Sequence, residues 1–209
     1  EEGKVTLEEI DRACRRILEA KYKLGLFDDP FRYLKEERLK NDILTKENVG
    51  SARKIAARSL VLLKNEHEVL PLKKGGTIAL IGPLADDKAN LLGTWTLFGD
   101  ASKVVSIREG LQNAGGNSLT VLYSKGTEFT DDPLLLKNSR SPFGPQGALP
   151  SVESIAATNA SLLKEALAVA KKADVVVAVL GEMAAWSGEA ASRADIGLPA
   201  CQKNLLKAL

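Results

Sequence analysis

Five side chains between Asp174 and Gln202 have the types and spacing for proton-transfer chemistry. The stretch reads DVVVAVLGEMAAWSGEAASRADIGLPACQ, and its loop holds Glu182, Trp186, Glu189, Arg193 and Asp195. Two carboxyl groups flanking one bond are what glycoside hydrolysis uses: one gives a proton to the leaving oxygen, the other attacks or activates water. Glu189 lies in Ser187-Gly188-Glu189-Ala190-Ala191-Ser192-Arg193, where small neighbours allow a substrate to come close. Trp186 could stack on a sugar face, and Arg193 could orient the glutamate or hold a polar group. A solvated loop carboxylate is the competing reading for each acid.

The elements around this loop say where it stands. Val175 to Leu180 reads as a buried strand stopping at Gly181, and Pro199 opens a new helix. Upstream, Ile78–Ile81 and Leu119–Tyr123 are short apolar strands. A helix opens at the capping box Ser106–Glu109 and ends at Gly115-Gly116, and a helix runs over 157–172. Strands separated by helices imply βαβ units and a parallel sheet, so residues 76–209 are expected to form part of a doubly wound α/β domain. Chemistry in such sheets lies beyond the carboxyl ends of the strands, where this loop begins. Residues 125–150 form a long loop rich in Pro, Gly and Ser.

Residues 1–75 read as a helical lead-in. Thr6-Leu7-Glu8-Glu9 has capping-box form, Ile10, Cys14, Ile17, Leu18 and Leu24 follow at helical spacing, and Gly25 supplies the stop. That stripe predicts a buried thiol at Cys14. A second helix is expected over 45–58, with Leu60–Leu63 extended. His67, the only histidine, reads as a surface turn residue between two glutamates.

Several function classes are excluded or weakened. Gly82-Pro83-Leu84-Ala85-Asp86, after the first strand, lacks the glycine spacing for a pyrophosphate. No G-x-x-x-x-G-K-[ST] loop and no G-x-S-x-G elbow occur. The net charge is +2, and residues 1–75 hold 17 basic and 14 acidic side chains, so no clustered basic face points to nucleic acid. No apolar run approaches the roughly 18 residues of a membrane span. Cys14 and Cys201 fit no metal spacing, and no metal or cofactor is called for. The charged start EEGKVTLEEI carries no signal-peptide pattern, and both ends read as cut from a longer chain.

The segment SGEAASRADIGLPACQ resembles the G-E…E-x-x-x-R-x-D-I-x-L-P-x-x-Q signature of glycoside hydrolase family 3, with a likeness to bacterial periplasmic β-glucosidases. VTLEEIDRACRRILEAKYKLGLFDDPFRY, ARSLVLLKNEHEVLPLKK, TIALIGPLADDKANLLGTW and DVVVAVLGE resemble further blocks of that family, in its order. The resemblance implies a (β/α)₈ barrel that is absent here, followed by the linker at 1–75 and the first half of an α/β sandwich domain at 76–209. It implies a retaining β-glucosidase acting on a β-glucoside or oligosaccharide, periplasmic or secreted. Glu189 matches the general acid/base glutamate, and Arg193 and Asp195 match the motif's arginine and aspartate. Glu182 matches the strand-end glutamate, in a supporting role. The nucleophile is an aspartate of the absent barrel, and Trp95 falls in a loop near the domain interface. The alternative is a non-catalytic α/β module that binds a ligand or partner in the same crevice.

Overall fold

The computed structural model describes residues 3–138, 150–189 and 191–209. Contacts divide the chain into two compact units, one up to Val69 and one from Leu70 onward.

The first unit contains α1 (Leu7–Lys23), α2 (Glu37–Asn41) and α3 (Lys46–Ser59). The capping box at Thr6 forms as its spacing predicts. The Glu9 N–H donates to Thr6 Oγ1 at 3.2 Å, and the Thr6 N–H donates to Glu9 Oε2 at 2.9 Å. Neither α1 nor α3 contains a buried residue. The expected burial of Cys14 is therefore wrong, and its thiol is exposed. Helical periodicity identifies an apolar stripe, but only a partner element buries it, and none among the described residues covers this one.

The second unit is an α/β fold around three parallel strands, β1 (Gly76–Ile81), β2 (Leu119–Ser124) and β3 (Val175–Ala178), in the spatial order β2-β1-β3. Ile78 to Ile81 are 0–4 % exposed because β1 is flanked on both sides. A central strand buried on both faces reads as a continuous apolar run, as this one does. Register places Leu80 of β1 opposite Tyr123 of β2 and Val177 of β3. At the base, Asp174 and Thr77 exchange contacts: the Thr77 N–H donates to Asp174 Oδ2 at 2.8 Å, and the Asp174 N–H to the Thr77 carbonyl at 2.9 Å.

Among the described residues, four α-helices complete this unit: α4 (Ile107–Gly115), α5 (Pro133–Asn138), α6 (Val152–Ala170) and α7 (Ala200–Ala208). The chain steps from β1 outward to β2, then back across β1 to β3. With right-handed crossovers, α4 and α6 fall on opposite faces of the sheet. Ala79, Ile81, Ala166 and Leu205 form the core on the α6–α7 side, with Leu163, Val169 and Leu180 packed around them. Helix α6 begins five residues before the sequence expectation because Ser151 caps it, accepting from the Ser154 N–H at 3.1 Å. The expected loop at 125–150 is interrupted by α5, whereas 139–149 lie outside the described residues.

Two features shape the carboxyl ends of the strands. Gly82, with φ +137°, leaves β1 so close to β3 that a Cβ would lie 2.0 Å from the Val179 carbonyl oxygen. Only glycine allows that approach. Beyond it, Asp86 accepts from Ser106 Oγ at 2.7 Å and Arg108 Nη1 at 2.9 Å, which anchors the start of α4. Burial pushes the Asp86 carboxyl up, but those two hydrogen bonds and the charges of Arg108 and Lys88 outweigh it and hold it below its ordinary value.

Candidate active site

The loop from Glu182 to Leu198 leaves the carboxyl end of β3 beside that of β1. Between these two strands the connections diverge, one toward β2 and the other toward α7. Open α/β sheets characteristically bind ligands at such a switch point.

The structure separates the two glutamates of the loop. Glu182 forms an ion pair with Arg193 through Oε1 and Nη1, an electrostatic contact without the alignment of a hydrogen bond. Arg193 also donates from Nη2 to the Gly197 carbonyl at 3.0 Å. Its guanidinium lies 5.6 Å from the centre of the Trp186 ring. Trp186 is itself only 5 % exposed, so its ring forms a floor beneath the loop. Glu182, Trp186 and Arg193 are thus one cluster that folds the loop back on its own root.

Glu189 lies outside this cluster. It is exposed in the turn after Gly188 and meets no ion-pair partner among the described residues. Gly188 has φ +104°, and a Cβ there would come within 2.5 Å of Thr94 Cγ2 and 3.4 Å of Trp95 Nε1. The turn carrying Glu189 therefore rests on the Thr94-Trp95 segment after β1, where Trp95 is 70 % exposed. Asp195 ties down the later part of the loop, accepting from the Gly197 N–H at 2.7 Å. That bond and the charge of Lys203 lower its carboxyl below the usual range.

Three residues outside the five singled out by sequence hold the loop. Asn90 Oδ1 accepts from the Ala184 N–H at 2.8 Å, and Asn90 is itself held by Asp87 through two contacts of 2.7 Å. Gln202, fully buried on α7, accepts from the Gly181 N–H at 2.9 Å and donates to the carbonyls of Gly181 at 2.8 Å and Phe129 at 2.7 Å. Asp131 accepts from the Cys201 N–H at 3.3 Å and so caps a helix whose N-cap, Pro199, offers no side-chain acceptor. Gln202 stands in the quoted signature, but nothing local marks its partners. No sequence signal picks out Asn90.

Glu182, Glu189 and Asp195 are all exposed, but Glu182 is paired with Arg193 and Asp195 is bonded to the Gly197 N–H. The chemistry open to this arrangement is therefore that of the remaining carboxyl group, Glu189, on a braced loop. The cavity of about 310 Å³ between α6 and α7 is lined by residues such as Thr127, Asp131, Asn159 and Cys201 and takes in neither loop glutamate. Burial pushes the Cys201 thiol up, away from the reactive thiolate. Among the described residues no group of three His, Cys, Asp or Glu side chains could hold a metal ion. No helix among them is long and apolar enough to cross a membrane.

Comparison with known proteins gives this geometry a context. Residues 60–209 match the model of the glycosyl hydrolase family 3 C-terminal domain. A periplasmic β-glucosidase of Salmonella typhimurium is 39 % identical over 99 % of this chain and 27 % of its own length. A β-xylosidase of Formosa agariphila is 32 % identical over 96 % of this chain and 25 % of its own. The crystal structure of a β-glucosidase from Listeria innocua in complex with isofagomine superposes with a TM-score of 0.72 at 36 % identity, covering 99 % of this chain and 25 % of that one. The chain thus spans about a quarter of the length of these relatives.

Proposed function

The chain belongs to glycosyl hydrolase family 3, and we propose that it supplies the general acid/base of a retaining β-glucosidase through Glu189. One observation favours this assignment above the others. Both loop glutamates are exposed, but Glu182 is paired with Arg193, whereas Glu189 has no ion-pair partner among the described residues. Glu189 donates its proton to the glycosidic oxygen as the aglycone leaves, while an aspartate of a domain outside this chain attacks the anomeric carbon. As a carboxylate, Glu189 then removes a proton from the water that releases the sugar. Glu182, Trp186, Arg193 and Asp195 support the loop.

The β-glucosidases above are 36–39 % identical to this chain and the β-xylosidase 32 %, which favours a terminal β-glucosyl residue as substrate. The Listeria innocua β-glucosidase has also been crystallised in complex with glucose and, as a mutant, with laminaribiose, in keeping with a β-glucoside or oligosaccharide. The periplasmic name of the Salmonella relative supports a periplasmic or secreted parent and a role in carbohydrate metabolism. A retaining mechanism needs two carboxyl groups about 5–5.5 Å apart. The 209-residue chain by itself therefore hydrolyses no aryl β-glucoside.

The test is a series of leaving groups in the full-length protein that carries this segment. Glu189→Ala should lower kcat/KM by about 10²–10⁴-fold for alkyl glucosides, which need protonation. For 2,4-dinitrophenyl glucoside, which does not, kcat/KM should stay near that of the parent. Equal loss for both classes would refute the assignment.

A further inference from the structure

We infer that Gln202 is a positioning residue for Glu189, acting through the root of the loop; this rests on the acid/base reading above. The loop leaves the sheet at Gly181 and re-enters the fold at Pro199, and Gln202 lies in the first turn of the helix that follows. Its amide closes a pair with Gly181, accepting from the N–H at 2.9 Å and donating to the carbonyl at 2.8 Å. The exit and return of the loop are thereby held by one side chain. Closing a flexible segment at its root narrows the space its tip can sample.

The same amide reaches a third point. Its second N–H donates to the Phe129 carbonyl at 2.7 Å, and the neighbouring Cys201 N–H meets Asp131 at 3.3 Å. The root of the loop is therefore referenced to the segment after β2 as well as to β3 and α7. This task requires one acceptor and two donors at the end of a side chain of this length. Asparagine is a methylene shorter, methionine has no donor, and an ionised glutamate has none either. Gln202 is 0 % exposed and all three of its contacts are made, so water cannot replace any that is lost. Glu182, next to Gly181, begins the Arg193–Trp186 cluster, which passes the constraint outward to the turn bearing Glu189.

The experiment compares Gln202→Met with Glu189→Gln in the full-length protein, using methyl and 2,4-dinitrophenyl β-glucosides. Misplacing a catalytic group by about 1 Å costs on the order of 100-fold. Gln202→Met should therefore lose about ten- to hundred-fold in kcat/KM on the methyl glucoside while changing little on the dinitrophenyl glucoside. Equal loss on both, or loss on neither, overturns the proposal when Glu189→Gln shows the selective pattern. If Glu189→Gln itself loses both equally, the acid/base reading fails and the inference falls with it. Gln202→Glu provides a second arm should the methionine variant not fold. A protonated glutamate accepts from Gly181 and donates one hydrogen bond, whereas an ionised one faces two carbonyls. Its methyl-glucoside activity relative to the parent should rise as pH falls, and a ratio independent of pH overturns the proposal.

Discussion

Replacing Arg193 with methionine tests how the site loop is held, because the structure distributes the energy of this residue unevenly. The substitution keeps an unbranched stem against Trp186 and removes the guanidinium. A charged hydrogen bond to the Gly197 carbonyl is lost, worth about 1.5–3 kcal/mol. The cation–π contact with Trp186 adds about 0.5–1 kcal/mol. The ion pair with Glu182 contributes at most about 1 kcal/mol, since the Glu182 side chain is 41 % exposed and water screens it. These terms are not additive, and the methionine recovers some packing, so the expected loss is about 2–3 kcal/mol. For a chain of this size that lowers the melting temperature by about 4–12 °C. Thermal melts followed by circular dichroism at pH 7 measure it directly. Glu182→Gln, which keeps an acceptor for Arg193, should cost less than about 1 kcal/mol. A methionine variant melting with the parent would refute the reasoning, as would a Glu182→Gln variant that loses as much.

Two further perturbations test the frame under the loop. Gly82→Ala places a methyl group 2.0 Å from the Val179 carbonyl oxygen at φ +137°, so it should cost about 3 kcal/mol or more and splay β1 from β3; an unchanged melting temperature would contradict this. Asp86 has its folded-state pKa depressed: burial raises it, but the hydrogen bonds from Ser106 and Arg108 outweigh that. Its stabilising contribution is therefore present above the unfolded value, about 3.9, and is lost as pH falls through the folded value. Asp86→Asn should lower the urea midpoint at pH 7, and the difference from the parent should shrink toward pH 3. A difference that holds constant across that range would remove the argument.

Much of the frame is legible in the sequence because it is written locally. The capping boxes at Thr6 and Ser106 form as their spacing predicts, and the apolar runs at 78–81, 119–123 and 175–180 carry the three parallel strands. However, β3 stops at Ala178 and, at the edge of the described sheet, is only partly covered rather than buried as expected. Local signals do not report burial, which depends on what lies across from a residue. Cys14 shows this, since its helical stripe is real but uncovered. The candidate loop is marked by its carboxylates, yet its bracing is not. Gln202 meets Phe129, and Asn90 meets Ala184, across separations that no local pattern encodes. Trp186 likewise could be a sugar platform or a floor by sequence, and only the fold shows it 5 % exposed beneath Arg193.

As the proposed acid/base, Glu189 both gives and takes the proton, and its removal separates these two roles. On the proposed role, in a full-length Glu189→Ala protein given 2,4-dinitrophenyl β-glucoside the glycosyl-enzyme should still form, but water should attack it slowly without a base. Azide, which needs no deprotonation, should raise the turnover number and yield β-glucosyl azide, identified by the anomeric proton signal in NMR. Turnover unaffected by azide, with glucose as the sole product, would contradict the assignment of Glu189.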